Sequence, residues 1–83
     1  MSMDIQQLTT DEQNAYFSII EGNSVKIIGK NKEAIVQMTS DDKKYEVYDP
    51  HTAKVSKPLK YPIDAFFYAC KIVGGFSNWS EIL

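Results

Sequence analysis

A small α+β domain is what the sequence predicts, and three observations predict it. Apolar residues recur at helical spacing between Thr9 and Gly22, alternate with polar ones between Ser24 and Leu59, and return to helical spacing between Tyr61 and Val73. The expected order is α-β-β-β-β-α: an N-terminal helix, a three- to four-stranded antiparallel meander, a C-terminal helix and a short final helical turn. Residues 1–8 read as a short tail and 9–83 as one domain, since 83 residues leave no room for a second. A chain of this size buries only about 60–65% of its unfolded surface, so the core is marginal and a partner could matter.

Each element has its own justification. Met3, Ile5 and Leu8 are the tail residues able to pack on the body. Thr9-Thr10-Asp11-Glu12-Gln13 offers two overlapping capping boxes, Thr9 with Glu12 or Thr10 with Gln13, and acids in the first turn suit the helix dipole. Tyr16, Ile19 and Ile20 should share the buried face, with Phe17 beside Ile20, and Gly22-Asn23 should end the helix. Ser24–Lys30 and Glu33–Thr39 then read as strands joined at Lys30-Asn31-Lys32, followed by the polar turn Ser40–Lys43 and a third strand over Lys44–Tyr48. Asp49-Pro50-His51-Thr52 is a turn, with Asp at its first position and Pro at its second. Ala53–Leu59 is a fourth, weaker strand, because Pro58 cannot donate to a ladder.

Alternation assigns the faces. Val25, Ile27, Ala34, Val36, Met38, Tyr45, Val47, Val55 and Leu59 should line the core. Lys26, Ile28, Ile35, Gln37, Glu46, Tyr48, Lys54 and Ser56 should lie opposite, with Ile28, Ile35 and Tyr48 as an apolar patch. Tyr61–Val73 is the most apolar segment. Pro62 suits its first turn and Gly74 its left-handed end. Ile63, Phe66, Phe67, Cys70 and Val73 form one stripe facing the sheet. Ala65, Tyr68, Ala69 and Ile72 fall largely outside that stripe, where a surface helix should be polar. Asn78 and Glu81 have capping-box spacing, which predicts a last helical turn carrying Trp79 onto the body.

Composition narrows the function. The net charge of −2 suits neither a strongly basic nucleic-acid binder nor a nucleic-acid mimic. All nine basic residues are lysine, and arginine, the usual bidentate reader of guanine and phosphate, is absent. With abundant Ile, Asn and Tyr, this bias suggests an AT-rich genome such as that of a phage or a low-GC bacterium. A single cysteine allows no internal disulfide, no basic-then-apolar leader opens the sequence, and no apolar run is long enough to span a bilayer. The expected compartment is the reducing cytoplasm.

Groups for chemistry are few. His51, the one histidine, sits in a predicted turn, and Cys70 lies on an apolar helix face where a thiol is inert. Their plainer reading is a turn residue and a core filler. Asp41, Asp42, Asp49 and His51 could suggest a metal site, but a five-residue strand separates the two turns by about 15 Å. The four glycines fit no phosphate-binding loop, so no metal and no cofactor are expected. Residues 24–60 carry eight lysines against five acids, whereas residues 1–23 carry four acids and no lysine.

The leading expectation is a non-enzymatic protein-binding module, of the kind found among phage or mobile-element regulators and inhibitors. Its candidate contact residues are Tyr68, Ile72 and Ala65 on the helix and Ile28, Ile35 and Tyr48 on the sheet, forming a partner site or a homodimer seam. The plainer reading, weighted equally, is that the first helix or the Trp79 turn covers the helix's second face. The alternative function is weak nucleic-acid binding through Lys26, Lys54, Lys57 and Lys60, with Tyr48 stacking a base. An accessory subunit or small enzyme using His51 or Cys70 ranks third.

Overall fold

The computed structural model describes residues 7–41 and 43–82. Helix α1 spans Thr10–Ile20, strands β1 Ser24–Ile28, β2 Glu33–Met38, β3 Tyr45–Asp49 and β4 Lys54–Val55, helix α2 Pro62–Ile72 and strand β5 Asn78–Ile82. The five strands form one open antiparallel sheet in the order β4-β3-β2-β1-β5. The first four follow one another as a meander, as short connections require. α2 then carries the chain back across one face to the far edge, where β5 pairs with β1 from Ser24↔Ile82 to Ile28↔Asn78.

Both helices lie on the same side of the sheet, α1 over β1 and β5, α2 over β2 and β3, and they touch each other. Of the two capping boxes, Thr9 with Glu12 is the one formed: the Thr9 amide donates to Glu12 Oε1 at 2.8 Å, and the Glu12 amide to Thr9 Oγ1 at 3.2 Å. Pro62 opens α2, and Gly74 and Gly75 take positive φ at its end, where their amides donate to the carbonyls of Lys71 and Cys70. The core comprises Leu8, Ala15, Ile19, Val25, Ile27, Ala34, Val36, Val47, Ala65, Phe66, Ala69 and Val73. Phe66 sits at its centre, with ring centroids 6.3 Å from Tyr16 and 6.0 Å from Phe76.

Several expectations are corrected. The Asn78–Glu81 segment is strand β5, not a helical turn: the Asn78 side chain accepts from the Trp79 amide next to it at 2.8 Å. The free edge of β1 offers a whole ladder, which outweighs a cap on a single turn. On α1, Phe17 and Ile20 are exposed, and the buried face is Ala15, Ser18 and Ile19. On α2, Ala65 and Ala69 are fully buried, because the smallest residues sit where the helix comes closest to the sheet. Phe67, Cys70 and Ile63, expected at the centre of the stripe, are only partly buried beside it.

The fourth strand shortens to Lys54–Val55, whose faces are reversed, while Leu59 bridges Tyr45 and packs against the core as expected. Ala53 adopts φ 58°, and the register that follows sets Val55 against Tyr48 and Lys54 against Asp49. Val55 therefore joins the side away from the helices, since one residue of slip exchanges the two faces of a strand. Of the tail residues, Leu8 is in the core, while Met3 and Ile5 lie outside the described residues.

Candidate functional site

The side of the sheet without helices is where side chains are left over. Cross-strand register lays Ser80, Lys26, Ile35, Tyr48 and Val55 in one row across all five strands. Ile28 stands two residues along from Lys26, diagonal to Ile35. Ile28, Ile35 and Tyr48 are half-buried by their neighbours alone, and Val55 is 50% exposed. The polar members of this face are satisfied locally: Lys26 Nζ is 3.7 Å from Glu33 Oε2, and Gln37 donates to Glu46 at 3.0 Å. The outcome is an apolar band with a fixed polar border.

At the β4 edge, on the helix side, lies a groove of about 340 Å³ lined by Val47, Asp49, Lys54, Val55, Tyr68 and Ile72 among others. Tyr68 is 44% exposed and Ile72 half-buried, so the predicted second face of α2 is open at these two positions. Neither α1 nor Trp79 covers them. α1 flanks the opposite side of α2, through Tyr16 and Phe66, and Trp79 lies on β5 at the far edge of the sheet. Ala65 has no exposed surface and contributes nothing to this groove.

The remaining candidates are dispersed. His51 lies in an open cleft of about 510 Å³ between the β1–β2 and β3–β4 turns, lined by Lys30, Asn31, Lys32 and Pro50. Its amide donates to Asp49 Oδ1 at 2.9 Å, which stiffens the turn. Cys70 is elsewhere, on α2, where burial and then the Glu12 charge push its thiol up to about 12. A thiol held neutral in this way is no nucleophile at neutral pH. Burial, helped by Tyr45, also raises the Tyr16 hydroxyl. Asp41 is fully exposed and held below the usual carboxylate range by the Thr39 hydroxyl and the Lys43 amide. Asp42 lies outside the described residues, among which no three His, Cys, Asp or Glu side chains are placed to share a metal ion.

The lysines do not converge either. Lys26 is on the open face, Lys54 is on the helix side in register with Asp49, and Lys57 follows in the loop after β4. Lys60 lies 5.5 Å over the Tyr61 ring. Among the described residues no helix is long and apolar enough to cross a membrane. No family model, curated protein or solved structure matches the chain.

Proposed function

We propose that the chain is a small, non-enzymatic protein-binding module that acts on another protein by contact, as a regulator or inhibitor does. The observation that carries this reading is the Ile35–Tyr48–Val55 row, with Ile28 beside it, on a sheet face that neither α1 nor α2 covers. An aromatic and three aliphatic side chains held on a rigid sheet form a preorganised contact surface, and tyrosine is favoured at the centre of such surfaces. The Tyr68–Ile72 groove extends the same surface around the β4 edge. Nucleic-acid binding is less supported because Lys26, Lys54, Lys57 and Lys60 point to different surroundings. Enzymatic use of His51 and Cys70 is less supported because they occupy separate parts of the fold.

The test is comparative capture from a lysate of the source cells, with bound proteins identified by mass spectrometry. Tyr48→Asp and Ile35→Asp should each remove a partner that the unaltered chain retains, with far-UV circular dichroism unchanged. Retention of the same proteins by both variants would contradict the reading.

A further inference from the structure

The two edges of the sheet differ in a way that points to a second mode of contact. The β4 edge is closed to pairing: it is two residues long, one of them Lys54, and Lys57 and Pro58 follow. The Val47 amide is already taken by Ser56 Oγ at 2.9 Å. These are the devices by which natural sheets prevent further strand addition. The β5 edge is longer, and among the described residues its one blocked group is the Trp79 amide, which donates to the Asn78 side chain. Its five residues, Asn78-Trp79-Ser80-Glu81-Ile82, contain no lysine and no proline, and every one is paired to β1 in register with no bulge.

The backbone groups that face outward can be identified. The Gly29 amide donates to the Lys32 carbonyl at 2.8 Å, which places the odd-numbered residues of β1 in hydrogen-bonded pairs with β2. By the alternation of an antiparallel ladder, Ser24, Lys26 and Ile28 turn to β5, and their partners Ile82, Ser80 and Asn78 turn inward. Trp79 and Glu81 therefore aim N–H and C=O away from the sheet. Among the described residues the Trp79 amide is held only by the Asn78 side chain.

Charge selects the occupant. Ser18 on α1 donates to Glu81 Oε1 at 2.9 Å, so this side of α1 looks along β5. Asp11, Asn14, Ser18 and Glu21 recur at i, i+3, i+7 and i+10 and share that side, and Asp11, Asn14 and Glu21 are exposed. Neither α1 nor β5 carries a lysine. Pairing of β5 with its own copy would set the two α1 helices about 10 Å apart, carboxylates facing carboxylates. A lysine- or arginine-bearing strand meets the opposite condition.

We infer that β5 is a docking edge for an extended, basic segment of a partner protein, added as a sixth strand with its cationic side chains beneath α1. The inference rests on the reading of the chain as a protein-binding module and adds an address and a chemistry to it. Strand addition of this kind takes affinity from main-chain bonds and specificity from alternate side chains.

The test titrates the full chain with two capped heptapeptides, one alternating lysine and valine, the other glutamate and valine. Trp79 is the one tryptophan, so its fluorescence reports the edge directly, with amide shifts of 78–82 as the map. The lysine peptide should bind at least about tenfold more tightly than the glutamate peptide, and the difference should shrink with salt. The paired change Asp11→Lys and Glu21→Lys should reverse the preference. Glu81→Pro should abolish binding, since it removes an outward N–H along with the Ser18 contact, whereas Glu81→Gln, which keeps the N–H and an acceptor for Ser18, should retain most of it. If Glu81→Pro does not fold, the charge reversal decides. Equal affinity for the two peptides, binding of neither, shifts centred on Ile35 and Tyr48, or a doubled mass sensitive to the β5 changes would each overturn the inference. Tyr48→Asp should leave peptide binding intact, so failure at this edge and failure of the open-face contact are separately visible.

Discussion

Beneath the helices, Val25, Ile27, Ala34, Val36 and Val47 are each at most 1% exposed. On the reverse of the same strands, Lys26, Ile28, Ile35 and Tyr48 remain partly exposed, and Val55 is half exposed. The strands are shared, so backbone pairing cannot explain the difference. It comes from what each side chain meets. One face is matched by α1 and α2 and holds the fold together, while the other carries apolar groups that the fold does not use. Substitutions should separate accordingly into changes that cost stability and changes that cost contact.

The largest effect belongs to Phe66. It is fully buried between Tyr16, Phe67 and Phe76, and Phe66→Ala should destabilise by about 3–5 kcal/mol in urea unfolding. In a domain this small that approaches the whole stability. Gly29→Ala comes next, at about 2–3 kcal/mol. A Cβ there would fall 2.3 Å from the Val73 carbonyl oxygen and 2.8 Å from Val73 Cβ, so the end of β1 and the end of α2 would have to part. A loss below about 0.5 kcal/mol would show that this approach is not tight.

Ser18→Ala should cost about 1–2 kcal/mol. The hydroxyl is 2% exposed, donates to Glu81 and accepts from Asn23 Nδ2 at 3.2 Å, so its removal frees the end of α1 from β5. Faster amide exchange confined to β5 would check the cause. The smallest effect is on the alkaline limb. The Cys70 thiol is raised in the folded chain, so the unfolded chain releases its proton first. Stability from this group is complete below the unfolded value near 9 and falls as pH rises toward about 12. Cys70→Ala should make the urea midpoint fall less steeply between these limits, and a slope unchanged from the parent chain would remove the cause.

Much of the helix-covered side was legible in the sequence because its signals are local. Thr9 and Glu12 announced a cap, Pro62 and Gly74 marked the ends of α2, and alternation placed Val25, Ile27, Val36 and Val47 inward. What was not legible depends on distant partners. β5 exists because β1 has an unfilled edge, yet its Asn78–Glu81 spacing imitates a helix start. The alternation Asn78, Trp79, Ser80, Glu81, Ile82 was the signal that could have identified it. Ala65 and Ala69 fall outside the stripe that helical spacing draws through Ile63, Phe66, Phe67, Cys70 and Val73, whereas close helix–sheet approach selects small side chains. Val55 changed faces at the positive φ of Ala53, a backbone turn that alternation alone does not reveal. Of the candidate surface, Ile28, Ile35, Tyr48, Tyr68 and Ile72 lie on open ground, while Ala65 does not.

The central claim is that the uncovered face binds a protein and contributes little to stability. The most direct measurement is the dissociation constant of a captured partner for the parent chain and for the double variant Tyr48→Asp, Val55→Asp, taken with the urea midpoint of each. The account predicts weakening by at least about a hundredfold, the loss of two central contact residues, with the midpoint nearly unchanged. Unchanged affinity in a folded variant would contradict it.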